Sequence, residues 1–134
     1  MSIADANARA VRRAFAAWSA NDFTTLASLF HPDVGWYMPG RSAVAGEALG
    51  RDAVFALFAR YARETSGTFR ASLKKVLQSQ DGRVVAIHHD TGERNGRRLS
   101  AGGCTVFDFE DGLILEGTEH FHDLYGWDEF WSYD

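Results

Sequence analysis

His88, His120 and Asp90 are the residues of this 134-residue chain best suited to moving a proton. An unperturbed imidazole titrates near neutral pH, so it can take and return a proton there. A carboxylate buried beside one becomes a stronger base, because desolvation raises its pKa. Two turns bring the three together. Asn95-Gly96 and Asp111-Gly112 are both two-residue hairpin signals, since these residues tolerate the positive φ that tight hairpins demand. A two-residue turn at Asn95-Gly96 pairs Arg94 with Arg97, and counting back pairs His88 with Gly103, Ala86 with Thr105 and Val84 with Phe107. A two-residue turn at Asp111-Gly112 pairs Glu110 with Leu113. Counting on pairs Gly103 with His120, Thr105 with Thr118, Phe107 with Glu116 and Ala101 with His122. Cross-strand partners share a face. One face is therefore expected to carry His88, Asp90, Gly103, Glu116, Thr118, His120 and His122. Ala101, Gly103 and Thr105 are small and leave a hollow in the middle strand, flanked by His88 and His120 on strands about 9–10 Å apart. A single bulge would send every residue beyond it to the opposite face.

The elements that hold this row can be read from spacing. Val11, Ala14, Phe15 and Trp18 fall on one helical face, with Arg9, Arg12 and Arg13 mostly off it. Asn21 and Asp22 break that helix, and Phe23, Leu26, Ala27 and Phe30 repeat the spacing in a second. His31-Pro32-Asp33 ends it, because the residue before proline resists helical geometry. A short strand from Val34 to Met38 follows, then a loop from Pro39-Gly40 to about Gly50. Asp52 is expected to cap a third helix with Val54, Leu57, Phe58 and Tyr61 on its face. Strands are expected over Phe69–Leu77, Val84–Glu93, Arg97–Glu110 and Leu113–Leu124, with a closing helical turn at Trp127–Trp131. Helices first and antiparallel strands afterwards make an α+β fold with the helices on one face of a curved sheet. The other face carries Val85, Ile87, His89, Cys104, Val106, Leu115, Glu119 and Phe121. Its apolar members need a cover, and a homodimer through that outer face is expected.

Further residues frame the expected site. Trp36, on the strand edging the hollow, supplies an aromatic wall for a planar or hydrophobic ligand. Tyr37 and Tyr61 are candidate hydrogen-bond donors to an enolate oxygen. Glu116 joins Asp90 as a carboxylate facing the hollow. His120 and His122 share a face, but a metal site needs three or four convergent ligands, so no metal and no obligatory cofactor is assigned. Cys104 falls on the other face with no basic neighbour and reads as a packed side chain. His31 reads as a turn residue and His89 as facing the dimer or solvent. Arg51, Arg94, Arg97 and Arg98 read as lying at element ends in water.

Length places the chain as one domain, 1–134. With 46% hydrophobic and 13% aromatic residues it can build a core. A net charge of −4 with scattered Lys and Arg offers no nucleic-acid footprint. No apolar run approaches the ~20 residues of a membrane span. The opening MSIADANARAV lacks the features of a signal peptide, and the single Cys104 fits a reducing cytoplasm, so a cytoplasmic location is expected.

The order and spacing of several pieces resemble the nuclear transport factor 2-like superfamily, of the ketosteroid-isomerase and SnoaL-like polyketide cyclase kind. The pieces are Phe15-Ala-Ala-Trp18, His31-Pro-Asp33 with Trp36 and Pro39-Gly40, Gly46, Gly50-Arg-Asp-Ala-Val54, His88, Asn95-Gly96-Arg97, Val106-Phe-Asp-Phe109, Asp111-Gly112, Asp123-Leu-Tyr125 and Asp128-Glu-Phe-Trp131. The resemblance implies a cystatin-like roll, a cone-shaped sheet wrapped on three N-terminal helices around a deep pocket. Such domains are usually dimeric. The resemblance also implies a small hydrophobic ligand and proton-transfer chemistry of isomerase, cyclase or dehydratase type, in which a pocket aspartate shuttles the proton. In this chain no Asp lies between Asp111 and Asp123, and histidines stand in the last strand instead. Because one fold of this kind hosts many functions, a non-catalytic ligand-binding or accessory module is the alternative.

Overall fold

Ser2 starts the first helix by a reciprocal cap: its side chain accepts from the Asp5 backbone N–H, and the Asp5 side chain accepts from its own. The computed structural model that shows this describes residues 2–133. The helix, α1, runs Ile3–Ser19 and buries Val11 and Ala14, with Phe15 and Trp18 packed against the same core. The short α2, Phe23–Ser28, is capped by the Asp22 carboxylate, which accepts from the Thr25 N–H at 3.1 Å. It stops before Phe30, which already belongs to a strand.

That strand, β1, spans Phe30–Met38, so His31-Pro32 lies inside it rather than in a turn. His31 Nδ1 accepts from the Asp33 N–H at 3.0 Å, leaving Nε2 to donate to Glu110 at 3.0 Å. A further strand, β2 at Gly46–Leu49, occupies part of the expected loop and pairs antiparallel with β1. Helix α3, Arg51–Glu64, starts from Gly50 at φ +91° with no side-chain cap, and Asp52 sits in its first turn. Only glycine adopts that φ without strain. The remaining strands are β3 (Arg70–Gln78), β4 (Val84–Arg94), β5 (Arg97–Glu110) and β6 (Leu113–Phe121), and helix α4 (Leu124–Phe130) follows.

The six strands form one curled sheet in the order β2-β1-β6-β5-β4-β3. All pairings are antiparallel except β1 with β6, which run parallel. That parallel pair joins the two ends of the chain's path and lets β1 stand beside the last strand. Helix α1 packs on β3, α3 on β1, and α4 on β5 and β6. The fold is α+β with a curled sheet, as the spacing and turn chemistry predict, and the cystatin-like roll is the one the family resemblance implies.

Both hairpin turns are two-residue turns with positive φ at each central residue: Asn95 +50° and Gly96 +78°, Asp111 +51° and Gly112 +79°. The β4–β5 register is the counted one along its whole length, from Arg94 opposite Arg97 to Val84 opposite Phe107. Two arginines expected in water are not there. Arg94 is buried, with Nε donating to Glu64 at 3.1 Å, a second nitrogen donating to the Phe130 carbonyl at 2.9 Å, and its guanidinium 5.9 Å from the Trp131 ring centre. Arg51 donates to the Phe30 carbonyl at 2.8 Å. Each arginine serves carbonyls at element ends that would otherwise lack donors. Among the described residues no helix is long and apolar enough to cross a membrane.

Candidate functional site

One residue, Leu115, decides which side chains face the interior. Glu110 pairs with Leu113 and Phe109 with Ile114, as counted, but Asp108 then pairs with Glu116. Leu115 is the extra residue of a bulge, so every residue of β6 beyond it faces opposite to the simple count. Gly103 lies opposite Phe121, Cys104 opposite His120, Thr105 opposite Glu119 and Phe107 opposite Gly117.

The physical reason is visible at Gly117. The benzo edge of Trp36 occupies the space that a Cβ there would need, and Trp36 pairs with Gly117 across the parallel β1–β6 junction. An unbulged strand would put Glu116 at this point, opposite Phe107 in the apolar core. The bulge turns Glu116 out and brings Gly117 in.

Four expected pocket residues are therefore misplaced by the simple count, and Tyr37 on β1 also lies outside the interior. His120 is exposed on the outer face. Thr118 pairs with Tyr37, and Glu116 with Gly35, on that same outer face, so neither they nor Tyr37 line the interior. His122 is exposed just beyond β6, against Gly102. Gly103 does face inward and is buried, but no hollow is left there: a Cβ on Gly103 would run into the His120 carbonyl oxygen and lie 2.9 Å from the Phe121 ring. Phe121 in turn stacks on Trp127 with ring centres 3.9 Å apart.

What the fold assembles instead is a polar quartet on three adjacent strands. His88 and Asp90 come from β4, Thr105 from β5 and Glu119 from β6. His88 Nδ1 lies 2.7 Å from Asp90 Oδ1. On its other side, His88 Nε2 lies 2.9 Å from Thr105 Oγ1 and 3.2 Å from Glu119 Oε1. The Thr105 hydroxyl donates to the same Glu119 oxygen at 2.6 Å. Burial alone would pull the imidazole pKa down, but hydrogen bonds and charge from Asp90 and Glu119 outweigh it and raise it to about 10. At neutral pH His88 is thus an imidazolium, donating from both ring nitrogens to acceptors that are all protein groups.

The three ionisable members are not equally open. The side chains of His88 and Asp90 are 2% and 4% exposed, whereas that of Glu119 is 12% exposed. Glu119 Oε1 is held by the network and Oε2 takes no part in it. Asp90 fixes the imidazolium, the imidazolium and Thr105 fix Glu119, and Glu119 fronts the open space.

That space is a cavity of about 70 Å³. A single water needs only ~15 Å³ by the same measure. Apart from the quartet, aromatic rings dominate its wall, among them Trp18, Trp36, Phe58, Tyr61 and Trp127. The Tyr61 hydroxyl donates to the Met38 sulfur at 3.2 Å. Burial first, then the negative charges of Glu119 and Asp90, push its pKa well above the ordinary phenol value. The buried indole N–H groups of Trp36 and Trp127 have no hydrogen-bond partner. Among the described residues no three His, Cys, Asp or Glu side chains converge in a way that could hold a metal.

Glu119 is the functional candidate that counting from the turn assigns to the wrong face. The available signal is Gly117: a glycine inside a strand marks a bulge or a close approach, and here it marks both.

Known proteins agree with this architecture. A family model described as the SnoaL-like domain matches residues 11–117. An uncharacterised protein of Mycobacterium tuberculosis is 33% identical over 128 residues, covering 96% of this chain and 98% of its own. The structure of Bal32a, from a soil-derived mobile gene cassette, superposes with a TM-score of 0.96 at 52% identity, covering 97% of this chain and 99% of that one. A Xanthomonas campestris protein of unknown function with a cystatin-like fold superposes with a TM-score of 0.87 at 28% identity, covering 98% and 99%.

Proposed function

We propose, from the premise that this chain belongs to the SnoaL-like domain family, that it binds a small molecule in the aromatic cavity and moves a proton on it. The chemistry is of the isomerase, cyclase or dehydratase kind, on a mostly apolar substrate bearing a carbonyl. The observation that carries this reading is the buried quartet His88, Asp90, Thr105 and Glu119 set into an otherwise aromatic wall. Such polar groups are costly to bury and cluster at functional sites.

In this reading Glu119 is the base. Its Oε2 takes a proton from the carbon beside the carbonyl. The C–H electron pair moves into the carbonyl to give an enolate, and Glu119 returns the proton to the same or a neighbouring carbon. Thr105 and His88 hold Oε1, which fixes the carboxylate's aim, and Asp90 keeps His88 charged. His120, exposed on the outer face, has no part in the reaction.

The experiment is solvent-deuterium exchange into 2-tetralone, a small apolar ketone, followed by NMR. The wild-type protein accelerates exchange at the carbon beside the carbonyl above the buffer rate.

A second reading, a non-catalytic ligand-binding domain, rests on a specific observation: protein groups already engage both nitrogens of His88. Saturable binding of 2-tetralone with no acceleration of exchange would favour that reading.

The outer sheet face is the proposed contact of a homodimer in the cytoplasm. Val85, Ile87, Val106 and Leu115 are only half-buried in the single chain. An antiparallel face that is apolar in part asks for a cover. Sedimentation at micromolar concentration should give twice the 14.9 kDa chain mass; a monomer contradicts the assignment.

A further inference from the structure

The charges lining the cavity do not balance. The His88 imidazolium is engaged first by Asp90, at 2.7 Å; burial raises the Asp90 pKa, the imidazolium opposes that rise, and with Asp90 ionised the two charges cancel. Glu119 stands further off, 3.2 Å from the other ring nitrogen, and its carboxylate keeps one negative charge that no second cation answers. No Lys or Arg is among the described residues that line the cavity. Burying an unanswered charge is costly, and the cost falls when a cation enters with the ligand.

The wall facing that charge is built of aromatic rings. Trp18 and Phe58 meet at 66°, Trp36 and Phe58 at 89°, and Tyr61 and Trp127 at 82°. Phe58 and Tyr61 lie nearer parallel, at 28°, so the rings meet in mixed orientations and do not all stack along one direction. Glu119 and these rings line the same cavity. Ring faces attract cations through their quadrupole, and desolvation strengthens the attraction.

We propose that the cavity takes a small organic cation, a protonated or quaternary amine, with its nitrogen against Glu119 and its substituents among the rings of Trp18, Trp36, Phe58 and Tyr61. The inference goes beyond the proton-transfer reading and stands whether or not the site is catalytic. If both hold, the substrate is an amino ketone, whose positive charge also acidifies the carbon from which Glu119 takes the proton.

The test compares phenethylamine with 2-phenylethanol, close in shape and different in charge at neutral pH, by titration calorimetry on the intact chain. The amine should bind at least about tenfold more tightly than the alcohol. In Glu119→Gln that preference should fall to near one while alcohol binding persists, which also shows that the variant is folded. Phe58→Leu, which removes one ring face and keeps the carboxylate, should weaken the amine more than the alcohol. Equal binding of the two probes by the wild type overturns the proposal, as does a preference that survives Glu119→Gln or an amine that fails to bind at about 10 mM. Exchange into 2-tetralone that depends on Glu119 without any preference for the amine would sink this inference and leave the proton-transfer reading intact.

Discussion

The benzo edge of Trp36 fills the space that a Cβ on Gly117 would occupy. The two residues pair across the parallel junction of β1 and β6, and both face the interior because Leu115 bulges out of β6. This contact fixes the register of the strand that carries Glu119.

Gly117→Ala should therefore be destabilising. A methyl forced against the indole of a buried tryptophan must shift the ring or the strand, and overpacking of this kind costs about 1–3 kcal/mol. Urea unfolding should show a lower midpoint with an unchanged slope. A variant as stable as the wild type would mean that Trp36 does not sit on Gly117.

Thr105 receives the Nε2–H of His88 and gives its own proton to Glu119. Thr105→Val keeps the shape and removes both bonds, leaving His88 Nε2 and Glu119 Oε1 only their longer contact with each other at 3.2 Å. The expected loss is about 1–3 kcal/mol, with Thr105→Ser recovering most of it because the hydroxyl returns. If Ser is no better than Val, the hydroxyl bridge contributes nothing.

The pH dependence has a definite sign. The His88 pKa is raised from 6.5 to about 10 in the folded chain. Between those values the folded state holds a proton that the unfolded state has released, so stability falls as pH rises. The contribution is fully present below pH 6.5 and is lost as pH passes through about 10. Chemical denaturation from pH 6 to 10, with NMR of the His88 ring nitrogens, should show a falling unfolding free energy and a ring that stays doubly protonated at pH 8. A His88 that titrates near 6.5 would contradict the quartet.

Much of this fold is legible from turn chemistry and spacing, because both are local. Asn95-Gly96 sets the β4–β5 register for eleven residue pairs, since nothing interrupts that hairpin. Asp111-Gly112 sets only the first two pairs of β5–β6, and then the Leu115 bulge intervenes. A count from the turn cannot see that bulge, because its cause is a tryptophan some eighty residues earlier in sequence. The error is one residue in register and complete in face: His120 for Phe121, Thr118 for Glu119. His88 and Asp90 are placed correctly because they lie on the uninterrupted hairpin. The parallel pairing of β1 with β6, and the burial of Arg94 against Glu64 and Trp131, likewise depend on contacts distant in sequence.

The central claim is that Glu119, not His120, serves the cavity. The most direct measurement is solvent-deuterium exchange into 2-tetralone by Glu119→Gln and His120→Gln side by side. Glu119→Gln should lose at least about 100-fold of the protein-dependent rate, in keeping with the removal of a general base, while His120→Gln keeps it. Loss in His120→Gln with retention in Glu119→Gln would return the histidine to the site and contradict the bulged register.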